Sequence, residues 1–170
     1  MRYLLLSALI ICGCKNEKNS DEPPPLGSLD GEDSCGGTAP EIVDVYCENT
    51  GMVLENDLGI ELPTLTIYAQ VVDDDGDLTS YNMLVEFDDV ADGELSEDAP
   101  DPFSLSGSID GESCTIGEAT LGAQLKLQGG APSYSTSYEW HVSIFDEAGD
   151  RSDTAMVVCT TPNENGEGTP

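Results

Sequence analysis

Hydrophobic and polar residues alternate along the middle of the chain with a period of two, the pattern of β-strands that bury one face. In the segment 62–72, for example, Leu65, Ile67, Ala69 and Val71 are separated by residues that face the other way. The alternation predicts seven strands, at residues 41–47, 62–72, 79–87, 103–109, 120–127, 138–145 and 154–159.

Clusters of Gly, Pro, Asp and Asn separate these segments, and no long helical period lies between them. Because each strand has one apolar face, two sheets must pack face to face. The sequence therefore predicts an all-β fold, a seven-stranded antiparallel β-sandwich at residues 38–162. The polar residues 163–170 are predicted to form a disordered tail.

The first residues have the pattern of an export signal. Arg2 precedes an apolar run of nine residues, whereas a membrane-spanning helix needs about 20. The stretch "ICGC", which ends at Cys14, resembles the lipobox of bacterial lipoproteins. This resemblance implies that residues 1–13 are a lipoprotein signal peptide and that Cys14 carries lipid. Cys12 is the alternative lipidated residue, but it would follow the bulky Ile11; an ordinary signal peptide or a wrongly assigned start are the other interpretations.

Residues 14–37 are predicted to be a lipidated cysteine followed by a disordered acidic tether. The stretch is polar, acidic and rich in Pro and Gly. As a flexible chain it would reach roughly 25–30 Å from a membrane. The residue after Cys14 is Lys15 rather than Asp, which in lipoproteins of this type implies the outer membrane.

The two segments "LTIYAQVVDDDGDLTSYNMLV" and "YEWHVSIFDEAGDRS" resemble bacterial Ig-like domains of the PKD, fibronectin III and cadherin-like kinds. The likeness extends from Pro40 to about Thr161 and implies a seven-stranded Ig-like sandwich. One departure is that Trp140 lies on the sixth predicted strand, whereas antibody domains carry their tryptophan on the third.

Four of the six cysteines, Cys35, Cys47, Cys114 and Cys159, lie beyond the predicted signal and lipidation site. In an exported domain they predict two disulfides, and three pairings are open. The Ig-like resemblance implies one of them. It places the end of the first strand beside the seventh, and the other two cysteines together at the opposite end, which gives Cys47–Cys159 and Cys35–Cys114.

The net charge of −29, from 34 acidic and 5 basic residues, limits the partners. A surface this negative repels nucleic acid and anionic membrane, so no nucleic-acid partner is expected. Divalent cations and basic proteins remain compatible with it. The alternative interpretation is that the charge only keeps the domain soluble.

The stretch "VVDDDGDL", residues 71–78, places four carboxylates around one glycine. It is not an EF-hand, because aligning Gly76 with the loop glycine puts Val71 and Asn82 at the first and last ligand positions. The Ig-like resemblance instead brings the turn after the second strand near the turn after the sixth. That implies a calcium site built from Asp73, Asp75, Asp77, Asp146 and Asp150. The alternative is a plain turn, since Asp and Gly favour turns.

Motifs for catalysis are absent from the sequence. The single histidine, His141, alternates with Trp140 and is predicted to point to solvent or a neighbouring strand. There is no G-x-S-x-G elbow and no phosphate-binding G-x-x-x-x-G-K loop. The sequence therefore predicts no enzyme.

The predicted function is that of a non-catalytic, lipid-anchored envelope or surface protein. It would be attached to the bacterial outer membrane, facing the periplasm or the exterior, and would serve adhesion, binding or assembly with an unknown protein or glycan. The alternative is a calcium-stabilised structural module of the envelope. A third and less favoured interpretation is an accessory domain of a secreted carbohydrate-active hydrolase.

Overall fold

The computed structural model describes residues 35–55, 59–89, 92–97 and 99–170. They lie in one compact unit, Glu32–Pro170. Seven strands confirm the predicted all-β fold, and the described residues contain no helix. The strands are β1 (Glu41–Glu55), β2 (Ile60–Val72), β3 (Ser80–Asp88), β4 (Phe103–Ser108), β5 (Glu118–Lys126), β6 (Ser137–Phe145) and β7 (Ala155–Thr160).

The strands form two antiparallel sheets, as one-faced apolar strands require. One sheet has the order β1-β2-β5 and the other has the order β4-β3-β6-β7. The fourth strand pairs with β3. In constant-type antibody domains the fourth strand instead belongs to the sheet of the first two. The architecture is an all-β sandwich compatible with an Ig-like domain.

The strand registers bring four chain segments together at one end of the sandwich. Glu41 and Glu118 both pair with Val72, which marks the end of β2. On the other sheet, Asn82 near the start of β3 pairs with Phe145 at the end of β6. We call this region the acidic end; it comprises residues 35–40, 73–79, 109–117 and 146–154.

The core lies between the two sheets and is filled from both. Trp140 of β6 is fully buried, and its ring centroid lies 5.1 Å from that of Phe87 on β3. Apolar burial of this kind contributes about 25 cal/mol per Å² and is the main favourable contribution to folding. The buried cluster consists of Leu65, Ile67, Ala69, Val71, Leu78, Met83, Val85, Phe87, Leu121, Ala123, Leu125, Tyr138, Trp140, Val142, Ile144 and Cys159.

Two disulfides link distant parts of the chain, with the pairing that the Ig-like resemblance implies. Cys47 on β1 is joined to Cys159 on β7, across a sequence separation of 112. Cys35 is joined to Cys114 at the acidic end, across a separation of 79. Disulfides of this kind are typical of proteins outside the cytoplasm.

The first strand is longer than predicted. The sequence predicts a strand at 41–47, whereas β1 continues to Glu55 and pairs with β2 in a long hairpin. The polar residues around Asn49 and Gly51 are typical of a turn. In the structure the register shifts between those two residues, so a β-bulge takes up the irregularity and the strand continues.

The chain after β7 turns back onto β1. Residues 163–170, which the sequence predicts to be disordered, begin with a turn in which the Asn163 amide donates to the Glu167 carbonyl at 2.8 Å. The Asn49 side-chain amide donates to the Gly168 carbonyl at 2.6 Å. These contacts place the tail beside the hairpin.

The predicted signal peptide at 1–13, the lipidation site Cys14 and most of the predicted tether lie outside the described residues. Only the last three tether residues, 35–37, are described, and they lie at the acidic end. Within the described part of the chain, no helix has the length and apolar character that crossing a membrane requires.

Candidate metal centre

The loop between β2 and β3 starts with a carboxylate that faces the interior. Alternate side chains of β2 lie between the sheets as far as Val71, and Asp73 occupies the next position in that period. Asp73 is consequently only 3% exposed, and Asp77 is 2% exposed. Asp75 is half-buried, whereas Asp74 is exposed to solvent. The loop thus turns every second carboxylate away from water.

Three of these carboxylates converge. Asp73, Asp75 and Asp77 each provide one oxygen, and the three oxygens lie within 4.8 Å of one another. The Oδ2 atoms of Asp73 and Asp75 accept backbone hydrogen bonds of 2.9 Å, from the amides of Asp77 and Thr38 respectively. The Oδ1 atom of each of the three is buried and has no hydrogen-bond partner.

A fourth buried carboxylate comes from the turn between β6 and β7. Asp146 is 6% exposed, and its Oδ1 accepts a 2.8 Å hydrogen bond from the Asp150 amide. Its Oδ2 is buried without a partner. This turn contacts the first loop directly, because the Glu147 amide donates to the Asp77 carbonyl at 3.3 Å and the Ala148 amide donates to Asp77 Oδ2 at 3.3 Å.

Burial makes these carboxylates poor acids. Desolvation raises the pKa of Asp77 to about 7, helped by the adjacent side chain of Asp73 and by the nearby charge of Asp146. Desolvation is also the main cause that raises the pKa values of Asp73 and Asp146, against backbone hydrogen bonds that lower them. Three neighbouring groups therefore hold their negative charge at a cost, which a bound cation would offset.

The glycine at the centre of the loop is required by its surroundings. Gly76 has φ of +78°, which favours glycine, and a Cβ at this position would lie 2.9 Å from the carbonyl carbon and oxygen of Cys114. The backbone around it is held by hydrogen bonds of 2.9 Å from the Ile116 amide to the Gly76 carbonyl and of 2.8 Å from the Asp73 amide to the Gly117 carbonyl. The loop is thus packed against residues 114–117.

The donor atoms of this cluster are all oxygens. Carboxylate oxygens are the ligands that hard cations such as calcium and magnesium prefer, whereas zinc and copper favour imidazole and thiolate. The nearest cysteines, Cys35 and Cys114, are joined in a disulfide and offer no thiolate. The single histidine lies on β6 and bonds to Glu139.

The structure brings together most of the residues that the sequence predicts for this site. Asp73, Asp75 and Asp77 converge, and Asp146 lies close enough for its charge to raise the pKa of Asp77. Asp150 is half-buried and supports the Asp146 turn through its backbone. The backbone donors Thr38 and Ala148 are residues that no sequence signal singles out, since any residue except proline carries an amide.

His141 does not point to solvent, which is one of the two orientations that the strand alternation predicts. The side chain is 7% exposed, and its Nε2 lies 2.7 Å from Glu139 Oε1, where Glu139 is 2% exposed. The Gly93 amide donates to both oxygens of Glu139 at 3.1 Å. The segment after β3 therefore covers this polar pair, which the alternation of the strand alone would leave on the surface.

The chain matches no protein-family model, and no curated protein is significantly similar to it.

Proposed function

We propose that the protein is a non-catalytic, exported Ig-like module whose acidic end binds calcium, which orders the loops that it presents to a protein or glycan partner. The observation that carries this proposal is the set of buried, unpartnered oxygens of Asp73, Asp75, Asp77 and Asp146. A buried polar atom without a partner costs free energy, and a buried unpaired charge costs more. A divalent cation would partner the converging oxygens of Asp73, Asp75 and Asp77, and the charge of Asp146 acts on them from the neighbouring turn.

Mutual repulsion among the ionised carboxylates also favours binding of a cation. Two ionised carboxylates separated by 4.8 Å or less repel each other by at least about 3 kcal/mol at an effective dielectric near 20. Three such groups share this loop, and Asp146 faces them from the neighbouring turn. A cation between them would convert repulsion into attraction.

Calcium fits the donor set better than magnesium does. Calcium takes six to eight oxygens in flexible geometry, whereas magnesium demands near-ideal octahedral geometry and keeps several waters. Here four carboxylates from two loops are held by backbone hydrogen bonds, and water or carbonyl oxygens would complete the shell. Such a crowded site of anionic oxygens favours the larger ion.

The plain-turn interpretation accounts for only part of the geometry. Asp side chains in turns commonly bond the local backbone, and the hydrogen bond from the Asp77 amide to Asp73 Oδ2 is of that kind. A solvated turn, however, leaves the remaining carboxylate oxygens in water. In this loop the Oδ1 atoms of Asp73, Asp75 and Asp77 are buried, which supports a ligand-binding role.

Isothermal titration calorimetry of the oxidised protein, after removal of metal with EDTA, tests the proposal. We expect one calcium per chain, with magnesium binding at least tenfold more weakly. Asp73→Asn should abolish the calcium heat. The matched control is Asp101→Asn, which removes the same charge from an exposed site outside the acidic end. Absence of binding, or equal binding of magnesium, would contradict the proposal.

The cellular location is proposed from the sequence together with the disulfides. Cys14 would carry the lipid that attaches the module to the outer membrane, and the acidic tether would hold the sandwich away from the surface. Labelling of cells with a palmitate analogue tests the anchor. We expect Cys14→Ala to lose the label and Cys12→Ala to keep it, so the reverse result would move the lipidation site to Cys12.

A further inference from the structure

The Cys35–Cys114 disulfide joins the two chain segments that lie against the acidic loop. On one side, residues 36–38 contact Asp75, because a Cβ on Gly36 would collide with the Asp75 carboxylate and the Thr38 amide donates to Asp75 Oδ2 at 2.9 Å. On the other side, the Cys114 backbone packs against Gly76. The loop is therefore held between two segments that are covalently linked to each other.

The segment after Cys114 continues along the loop. The Ile116 amide donates to the Gly76 carbonyl at 2.9 Å, and Ile116 forms an isolated β-bridge with Asp77. One residue later, the Gly117 carbonyl accepts from the Asp73 amide at 2.8 Å. Residues 114–117 thus fix the backbone on which Asp73 and Asp77 are carried.

The segment that begins at Cys35 lies outside the two sheets. Residues 35–40 precede β1 and belong to no strand. The Thr38 amide donates a hydrogen bond to the Asp75 carboxylate. The charges of Asp73 and Asp77 repel the same carboxylate. Opening of the covalent link would let residues 36–38 and Asp75 move apart, which would relieve the repulsion.

We propose that the Cys35–Cys114 disulfide positions the ligands of the calcium site, so that calcium binding and the disulfide stabilise each other. This inference rests on the proposed calcium-binding function. By linkage, the factor by which the disulfide raises calcium affinity equals the factor by which calcium favours the disulfide over the dithiol. Reduction by an external dithiol transfers two electrons and two protons, leaves Cys35 and Cys114 as thiols, and converts the reductant to its disulfide.

The second disulfide is a matched control. Cys47–Cys159 joins β1 to β7, and its separation of 112 residues is comparable with the 79 residues between Cys35 and Cys114. Both crosslinks therefore restrict the unfolded chain to a similar extent. Cys47 and Cys159 lie on strands outside the acidic end, so Cys47–Cys159 has no positioning role at the calcium site.

Calcium titrations of the wild type and two double variants test the affinity half of the proposal. Circular dichroism first establishes that each protein is folded at the temperature used. We expect Cys35→Ser with Cys114→Ser to weaken calcium binding at least tenfold, and Cys47→Ser with Cys159→Ser to change it less than twofold. Equal affinities in the two folded double variants would overturn the coupling while leaving calcium binding intact. Failure of the wild type to bind calcium would instead overturn the proposed function and the coupling with it.

The reciprocal measurement uses only the wild type, so it tests the coupling between calcium and the disulfide even if a double variant does not fold. The wild type is equilibrated with dithiothreitol and its oxidised form, with and without saturating calcium, and free thiols are alkylated and located by mass spectrometry. We expect calcium to raise the dithiol concentration needed to open Cys35–Cys114 at least tenfold. Cys47–Cys159 should shift much less, and an equal shift at both disulfides would show only general stabilisation and overturn the proposal.

A pair of substitutions at Thr38 isolates the positioning contact while both disulfides stay closed. Thr38→Pro removes the amide that donates to Asp75, whereas Thr38→Ala keeps it. We expect Thr38→Pro to weaken calcium binding several-fold relative to Thr38→Ala. Equal affinities would show that residues 35–38 do not position Asp75.

Discussion

Acidification should stabilise the calcium-free protein, and the main contributor should be Asp77. Burial raises the pKa of its carboxyl to about 7, from an ordinary value of 3.8. The folded protein therefore holds this proton more tightly than the unfolded chain does. The resulting stability is fully present below about pH 4 and is lost as the pH rises through about 7.

The size of this stabilisation follows from the difference between the pKa values of Asp77 in the folded and unfolded states. One proton taken up on folding changes the free energy of unfolding by about 1.4 kcal/mol per pH unit. Over the whole window from 3.8 to about 7, this amounts to at most about 4 kcal/mol. Asp73 and Asp146, whose pKa values are also raised, act in the same direction.

Urea unfolding in EDTA, followed by the fluorescence of the buried Trp140, measures this effect. Between about pH 7 and about pH 5 we expect the free energy of unfolding to rise by about 2–3 kcal/mol. Asp77→Asn should reduce this slope and should make the calcium-free protein more stable at neutral pH. Asp101→Asn, at an exposed site, should leave the slope unchanged.

Calcium should reverse the direction of the pH dependence. The ion binds ionised carboxylates, so the stabilisation that it provides should increase as the pH rises through about 7. Two results would refute the reasoning. One is a calcium-free wild type that loses stability on mild acidification. The other is an Asp77→Asn variant with the slope of the wild type, which would mean that Asp77 titrates in the fold as it does in the unfolded chain.

Three further substitutions test the structure around the site. Gly76→Ala should destabilise the fold by about 1–3 kcal/mol in urea unfolding, because φ is +78° and the new Cβ would lie 2.9 Å from a backbone carbonyl; an unchanged midpoint would contradict this packing. Removal of the Cys47–Cys159 crosslink should lower the free energy of unfolding by up to about 4–5 kcal/mol in the same assay. A decrease of less than about 1 kcal/mol would show that the unfolded chain is already restricted there. Glu139→Ala should cost about 2–4 kcal/mol, since it leaves the buried His141 and a backbone amide without their acceptor; a neutral effect would show that water replaces the carboxylate.

The fold could be predicted because its signal is local. Alternate apolar residues indicate each strand, as in Leu65, Ile67, Ala69 and Val71. Because each strand has one apolar face, these strands must form two sheets that pack face to face. The pairing of the strands could not be derived in the same way. That β4 joins β3 rather than β5 depends on contacts across the chain, which no single segment specifies.

The length of the first strand shows how a local signal can mislead. Asn49, Thr50 and Gly51 have the composition of a turn, yet the hydroxyl of Thr50 bonds to Thr64 at 2.8 Å and to Thr66 at 3.0 Å on the neighbouring strand. Cross-strand pairs of this kind stabilise sheets by about 0.2–1 kcal/mol each. Here the partner strand, and not the local sequence, decides that the chain stays extended.

The candidate site could be predicted in composition but not in its electrostatics. The sequence shows which aspartates lie in the loop, and its period of two indicates that Asp73 continues the inward face of β2. It does not show that Asp77 is also buried, because that depends on the turn at Asp146 and on residues 114–117, which lie far away in the chain. Burial is what separates a metal site from a solvated turn, so the sequence left both interpretations open.

The disulfide and the carboxylates act on each other in opposite directions when no cation is bound. Cys35–Cys114 keeps residues 36–38 on Asp75, while the repulsion among Asp73, Asp75 and Asp77 favours separation. A loop without this link could relieve the repulsion by opening into water. With the link closed, the remaining ways to relieve it are uptake of protons and binding of a cation. The raised pKa values correspond to proton uptake, so calcium that binds as proposed would displace protons at neutral pH. Proton release on calcium binding, measured as a dependence of the binding heat on the ionisation enthalpy of the buffer, should therefore be smaller when Cys35 and Cys114 are replaced by serine.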